Sequence, residues 1–286
     1  MAFQLWPIRP ALENLAEMTQ TIPEKLNLLC QPQQLIGNIM PSLLKLLSFA
    51  LFTFALFIVT TPSQATELTL TTEQGFELKT DYYQPENAEE RAVLLLHQCN
   101  FNRTMYDDIG RDLSLRGIHA LSLDFRGFGE SINEETDMNK FGRNALRAYL
   151  MHWPKDVQLA YDFLREKVGE NGIIGVTGAS CGGRQAKILA ENNPINAISF
   201  FSSAVVHNDD DDTIASYKAI AEKPTLFISA EEDVTFAGTQ RGFTLNENIN
   251  SKFISYKGNG HGYPLLGQDK HLAKTLVDWF DSNLIK

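Results

Sequence analysis

Gly172-Ile173-Ile174-Gly175-Val176-Thr177-Gly178-Ala179-Ser180-Cys181-Gly182-Gly183-Arg184-Gln185-Ala186 is the stretch on which the fold reading turns. Gly172–Thr177 is short and apolar, as a buried strand is, and Cys181–Asn192 reads as a helix. Between them Gly178-Ala179-Ser180-Cys181-Gly182-Gly183 places a serine among small residues. A chain doubles back this tightly only where its flanking side chains are small, and the turn then lifts the serine hydroxyl above the sheet. The N-terminus of the following helix favours negative charge that develops there. A bare G-x-S-x-G is common in turns. Its position directly after a strand and directly before a helix gives it meaning.

Working outward, the chain alternates strands and helices. Glu67–Thr71 and Phe76–Tyr83 alternate apolar and polar residues around Thr72-Glu73-Gln74-Gly75, which predicts an antiparallel hairpin. Arg91–His97 holds Ala-Val-Leu-Leu-Leu, the continuous apolar run of a strand buried on both faces. Arg103–Arg116 has helical spacing and stops at Gly117. Ile118–Asp124 reads as a strand and Trp153–Val168 as a helix. In the second half, Ile195–Phe201, Pro224–Ala230 and Ser251–Tyr256 read as strands. Thr213–Glu222 reads as a helix and Pro264–Leu284 as a closing amphipathic helix. This pattern predicts a mostly parallel eight-stranded sheet, its first two strands antiparallel, with helices on both faces. No linker interrupts residues 66–286, so one domain is expected.

With the serine turn and this alternation in place, the chain resembles the α/β-hydrolase superfamily over nearly all of residues 67–286, and in its compact size it is similar to the small serine esterase and dienelactone-hydrolase-like branch. It departs from dienelactone hydrolases at one point. Their G-x-C-x-G-G turn centres on a cysteine, whereas Ser180 holds that place here and Cys181 comes one residue later. The resemblance implies a serine, acid, histidine chain order. The third residue after the Pro224–Ala230 strand is Asp233, the expected acid, with Glu231 and Glu232 as neighbours that could serve instead. His261, in Gly258-Asn259-Gly260-His261-Gly262 after the last strand, is the expected base. Ser180, Asp233 and His261 are therefore the expected triad.

The oxyanion hole is expected to take one backbone N–H from Cys181, the residue after the serine. The other should come from the loop after Arg91–His97, where relatives carry His-Gly-x. Here the loop reads His97-Gln98-Cys99, so Cys99 is the expected donor, or Gln98 if the loop is shifted. Both cysteines would then flank one hole. A disulfide between them is one reading, and two small, half-buried, unpaired side chains is the favoured one, since elbow side chains tend to point apart. Asp124-Phe125-Arg126-Gly127-Phe128-Gly129-Glu130-Ser131 resembles the family's turn beside the active site, which shapes a loop and does no chemistry.

Other features carry less. Asp209–Asp212 could bind calcium, but four consecutive loop aspartates read first as a solvated run. His207 could overhang the pocket, while His119, His152 and His271 read as packing or surface residues. No zinc spacing, dinucleotide glycine motif or P-loop is present, so no metal and no cofactor is expected. The short segment between Phe201 and Pro224 leaves room for little or no cap.

Charge and composition point to a small-molecule or peptide substrate. The chain has 286 residues, 43% hydrophobic and 21% charged, with a net charge of −10. Residues 1–65 sum to zero, so the acidity lies entirely in residues 66–286. An acidic domain disfavours nucleic acid and anionic lipid as partners. Before it, Leu46–Val59 forms an uncharged apolar run after Lys45, followed by Thr60-Thr61-Pro62-Ser63-Gln64-Ala65. That is the layout of a signal peptide cleaved after Ala65, implying export to the periplasm or the medium. The alternative is an uncleaved anchor, which would be the only membrane contact. The run is shorter than the roughly 20 residues of a spanning helix. Residues 1–39 would make an overlong leader, so translation is expected to start at Met40 and residues 40–65 to be the signal. The expected activity is hydrolysis of a carboxylic ester or related acyl bond through a Ser180 acyl-enzyme. A peptidase or acyltransferase on the same triad, or a non-catalytic binding protein on the same frame, is the alternative.

Overall fold

The computed structural model describes residues 64–206 and 210–285. Residues 40–63 of the expected signal segment, with the expected start at Met40, and His207 and Asp209 lie outside the described residues.

Eight strands form one sheet: β1 (Thr66–Thr71), β2 (Glu77–Tyr83), β3 (Arg91–Leu96), β4 (His119–Leu123), β5 (Ile173–Ala179), β6 (Ala197–Phe201), β7 (Thr225–Ala230) and β8 (Lys252–Tyr256). Their order is β1-β2-β4-β3-β5-β6-β7-β8. β1 pairs antiparallel with β2 and β2 antiparallel with β4; every later pairing is parallel. Swapping β3 and β4 puts β5 near the middle of the sheet, and the loops at the carboxyl ends of β3, β5, β6, β7 and β8 share one edge. In open α/β sheets that edge is where sites are built.

The apolar runs are buried on two faces. Leu94 and Leu96 of β3 join one core with Leu121, Leu123, Ile174, Val176, Trp153, Val157 and Leu189. Val93 and Leu95, pointing the other way, join a second with Ile109, Leu113, Leu276 and Phe280. Alternation of side chains along one strand thus feeds two cores, which is why β3 shows no polar alternation. The helices covering these faces are α1 (Asp107–Ser114), α2 (Met138–Phe141), α3 (Arg143–Leu150), α4 (Trp153–Val168), α5 (Cys181–Asn192), α6 (Asp211–Lys218), α7 (Phe236–Leu245), α8 (Tyr263–Gln268) and α9 (Leu272–Asn283).

Several predicted elements change in detail. Arg103–Arg116 is not one helix: a 3₁₀ turn over Arg103–Tyr106 precedes α1, capped by Asn102, whose side chain accepts from Thr104 N. Arg103 itself is tied down from outside that segment. Its backbone N–H and guanidinium both donate to Asp124, and it also pairs with Asp81, Glu67 and Glu130. The closing helix is broken in two at Asp269, whose carboxylate accepts from His271 N and from the Tyr256 hydroxyl. α2, α3 and α7 have no counterpart in the sequence reading. α6 is shorter than predicted and is the only helix between β6 and β7 among the described residues, so no large cap stands there.

The turn after β4 is a scaffold. Buried Asp124 also accepts from Glu130 N, so its carboxylate closes the turn. Arg126 forms a two-bond pair with Asp156 at the start of α4, at 2.8 and 3.0 Å. Burial pushes the Asp156 carboxyl up, and the Arg126 guanidinium pulls it back. His119 is buried and accepts from or donates to the Tyr82 hydroxyl at 2.6 Å, while His152 and His271 are exposed.

Candidate active site

Ser180 sits between β5 and α5 with φ 52° and ψ −116°, in the left-handed region that a non-glycine residue occupies only under constraint. The neighbours supply that constraint. Ser180 N donates to Phe201 O at 2.8 Å, and the Ser203 hydroxyl donates to Ser180 O at 2.9 Å. Gly182 is required by close approach: a β-carbon there would strike the Leu96 carbonyl. The small residues around the serine let α5 start directly against the end of β3.

Asp233 follows β7 and is the carboxylate that meets His261. Its side chain is 1% exposed, and His261 Nδ1 lies 3.0 and 2.9 Å from its two carboxylate oxygens. Thr235 N donates to the same carboxylate at 3.0 Å. Glu231 instead pairs with Lys257 at the surface, which holds its carboxyl below the usual range, and Glu232 is exposed. The histidine–acid half of the expected triad is therefore bonded. Ser180 Oγ donates no hydrogen bond among the described residues.

The loop carrying His261 is pinned on its far side. The two N–H groups that follow the histidine each meet a side chain from another strand end. Gly262 N donates to Ser202 Oγ at 2.9 Å, and Tyr263 N donates to Gln98 Oε1 at 2.7 Å. Ser202 is itself buried at φ 46°, immediately before the Ser203 that bonds the Ser180 carbonyl. Sequence reasoning missed Ser202 and Ser203. Their adjacency at the end of a strand was the available signal.

The predicted oxyanion segments meet, and in a way that corrects the favoured reading of the cysteines. Cys99 and Cys181 form a disulfide, with α-carbons 5.6 Å apart. The expectation that they point apart fails because Cys99 lies in the turn just past β3, and the glycine at 182 lets α5 close onto that strand end. Cys181 is the first residue of α5, and the N–H groups of a first helical turn have no acceptor within the helix.

His97, at the start of that loop, is wholly buried. Its Nδ1–H donates to Gln98 O at 2.6 Å, and its Nε2 accepts from Phe125 N at 3.0 Å. One donor and one acceptor is the pattern of a neutral imidazole. Burial lowers its pKa from 6.5 to about 4. The unfolded chain therefore takes up a proton at this position below about pH 6.5, while the fold resists until about pH 4. The stability tied to neutral His97 is complete above 6.5 and is lost across that window, amounting to roughly 3 kcal/mol. Burial raises the carboxyls of Asp81 and Asp156, which works in the opposite sense, so the comparison must be with a variant. Urea midpoints of the wild type should fall more steeply from pH 6.5 to 4 than those of His97→Gln. Parallel curves would show that His97 is not the group responsible.

Among the described residues no group of three or more potential metal ligands is assembled, and no helix is long and apolar enough to cross a membrane.

The fold and site can be set beside known proteins. A search of curated proteins finds no match. Among solved structures, dienelactone hydrolase from Anabaena variabilis is 19% identical with a TM-score of 0.61, covering 78% of this chain and 100% of its own. A cold-adapted esterase from an Arctic intertidal metagenomic library is 18% identical with a TM-score of 0.60, covering 77% and 94%. An esterase from Pyrococcus furiosus is 17% identical with a TM-score of 0.58, covering 89% and 100%. At these identities the likeness speaks for the fold. A family model described as serine aminopeptidase, S33, matches residues 87–257, a span that includes Ser180 and Asp233 and stops just before His261. That span is more than half of the chain, and with the α/β-hydrolase strand order it establishes that this protein belongs to the S33 serine aminopeptidase family of hydrolases.

Proposed function

We propose that this hydrolase cleaves a carboxylic ester or related acyl bond through a covalent intermediate on Ser180. The observation that carries the reading is the two-oxygen bond from Asp233 to His261, at the same sheet edge as a strained serine. Asp233 holds Nδ1 protonated, which leaves Nε2 free to take the Ser180 proton as the hydroxyl attacks the carbonyl. The negative charge that forms on the carbonyl oxygen is met by the N–H groups of Cys181 and Cys99. His261 then passes its proton to the leaving group, and water attacks the acyl-enzyme by the reverse route.

A second reading is cleavage of an amino-terminal peptide bond on the same triad, favoured by the description of the matching family. The neighbours named as esterases and dienelactone hydrolase favour the first. Export, with residues 66–286 as the mature domain, belongs to the same proposal. The Cys99–Cys181 disulfide supports it, because such bonds persist in oxidising compartments.

Steady-state hydrolysis of p-nitrophenyl acyl esters and of aminoacyl p-nitroanilides by residues 66–286 separates the two readings. Ester turnover at least a hundredfold above anilide turnover, absent in Ser180→Ala, is expected. The opposite ratio would transfer the protein to the peptidase reading, and turnover unchanged in Ser180→Ala would remove both.

A further inference from the structure

We propose that Gln98 is a positioning residue for His261: its side-chain amide fixes the histidine loop over the serine turn. This rests on the reading of His261 as the base. The sequence singled out Gln98 as a departure, since it stands where the resemblance leads one to expect glycine. The structure shows what that side chain does.

Gln98 is 4% exposed and spans 165 positions of sequence to accept from Tyr263 N at 2.7 Å, two residues beyond His261. Its other end is occupied as well, because Nε2 donates to Asn100 Oδ1 at 2.7 Å. That second bond orients the amide so that oxygen, and not nitrogen, faces the histidine loop. The backbone of Gln98 is equally constrained. Its carbonyl accepts from His97 Nδ1–H and from Phe101 N, and His97 is anchored through Nε2 to Phe125 N. The amide oxygen therefore hangs from a buried support that extends to the end of β4.

The receiving loop is shaped to this oxygen. Gly262 has φ 66°, and a β-carbon there would collide with Gln98 Oε1. With Ser202 Oγ holding Gly262 N, the pair of N–H groups after His261 is fixed from two directions, β3 through Gln98 and β6 through Ser202. Asp233 sets the orientation of the imidazole within its ring plane. Gln98 and Ser202 set where the loop backbone stands. A bound on the backbone matters because a displacement on the order of 1 Å costs about a hundredfold in rate.

The test uses Gln98→Met, which keeps the length and removes the acceptor, and Gln98→Glu, which restores an oxygen facing Tyr263 N. Asn100→Ala, at an exposed position, frees the amide to rotate. Each is titrated with a fluorophosphonate so that kcat is expressed per reactive serine. Gln98→Met should lose ten- to a hundredfold in kcat with KM within twofold, Gln98→Glu should recover most of the loss at neutral pH, and Asn100→Ala should lose two- to fivefold. A purely structural role would lower the titrated fraction and the melting temperature and leave kcat per site unchanged, and that result in Gln98→Met overturns the inference. Should Gln98→Met fail to fold, an unchanged kcat per reactive serine in Asn100→Ala overturns it equally. Failure of the wild type to react with the fluorophosphonate would instead overturn the reading of the triad.

Discussion

Asp233→Asn should lower kcat by about ten-thousandfold while leaving the fold and KM nearly unchanged. The effect is tautomeric. Asp233 offers only acceptors to Nδ1, at 2.9 and 3.0 Å, so the proton on His261 stays at Nδ1. An asparagine amide can present N–H there, which makes Nδ1 the acceptor and puts the proton on Nε2, where it cannot accept from Ser180. Because the Asp233 side chain is 1% exposed, water does not stand in for the lost carboxylate. Glu231→Gln, two residues away but paired outward to Lys257, should change kcat by less than twofold. Steady-state kinetics on the preferred substrate decides the matter. A Glu231 variant losing activity in place of the Asp233 variant would move the acid to the position the sequence left open.

Breaking the Cys99–Cys181 bond is the second large effect. The disulfide closes a loop of 82 residues, and removal of that constraint from the folded-to-unfolded balance costs about 4 kcal/mol on a chain-entropy basis. In a domain of this size the melting temperature should fall by roughly 10 °C. Activity should fall too. The two half-cystines are the residues proposed to offer N–H groups to the oxyanion, and loss of one such donor costs about a hundredfold or more in kcat. A dithiol reductant or Cys99→Ala/Cys181→Ala should produce both losses together. Intact mass gives the bond directly, since reduction adds two hydrogens. An unchanged mass, melting temperature and kcat after reduction under denaturing conditions and refolding would remove the disulfide from the account.

What the sequence made legible follows from what short-range pattern encodes. Ser180 stood out because a tight turn requires small neighbours, and Gly182 meets the Leu96 carbonyl so closely that no side chain fits. His261 and Asp233 stood out because each follows a strand whose carboxyl end must reach the same sheet edge. The pairing of Cys99 with Cys181 was not legible, because it depends on how closely α5 approaches the end of β3, a distance between segments 82 positions apart. The break at Asp269 was hidden for a similar reason. Helical periodicity runs through it, and only the Tyr256 hydroxyl and His271 N, bonded to the Asp269 carboxylate, end the helix there. α7 escaped because it carries Gly238 and Gly242, poor helix formers; Gly242 earns its place by lying against Val205, where a β-carbon would collide. Gln98 shows the converse. Pattern alone presented it as a defect in an expected motif, and the fold converts it into a contact with the histidine loop.

Every step of the proposed reaction requires Ser180 to be an activated nucleophile. Residues 66–286, treated with a fluorophosphonate, digested and mapped by peptide mass, test it most directly. A single stoichiometric adduct is expected on the peptide containing Ser180, lost in His261→Ala and slowed strongly in Asp233→Asn. A folded protein that stays unmodified, or that carries its adduct on another serine, would contradict it.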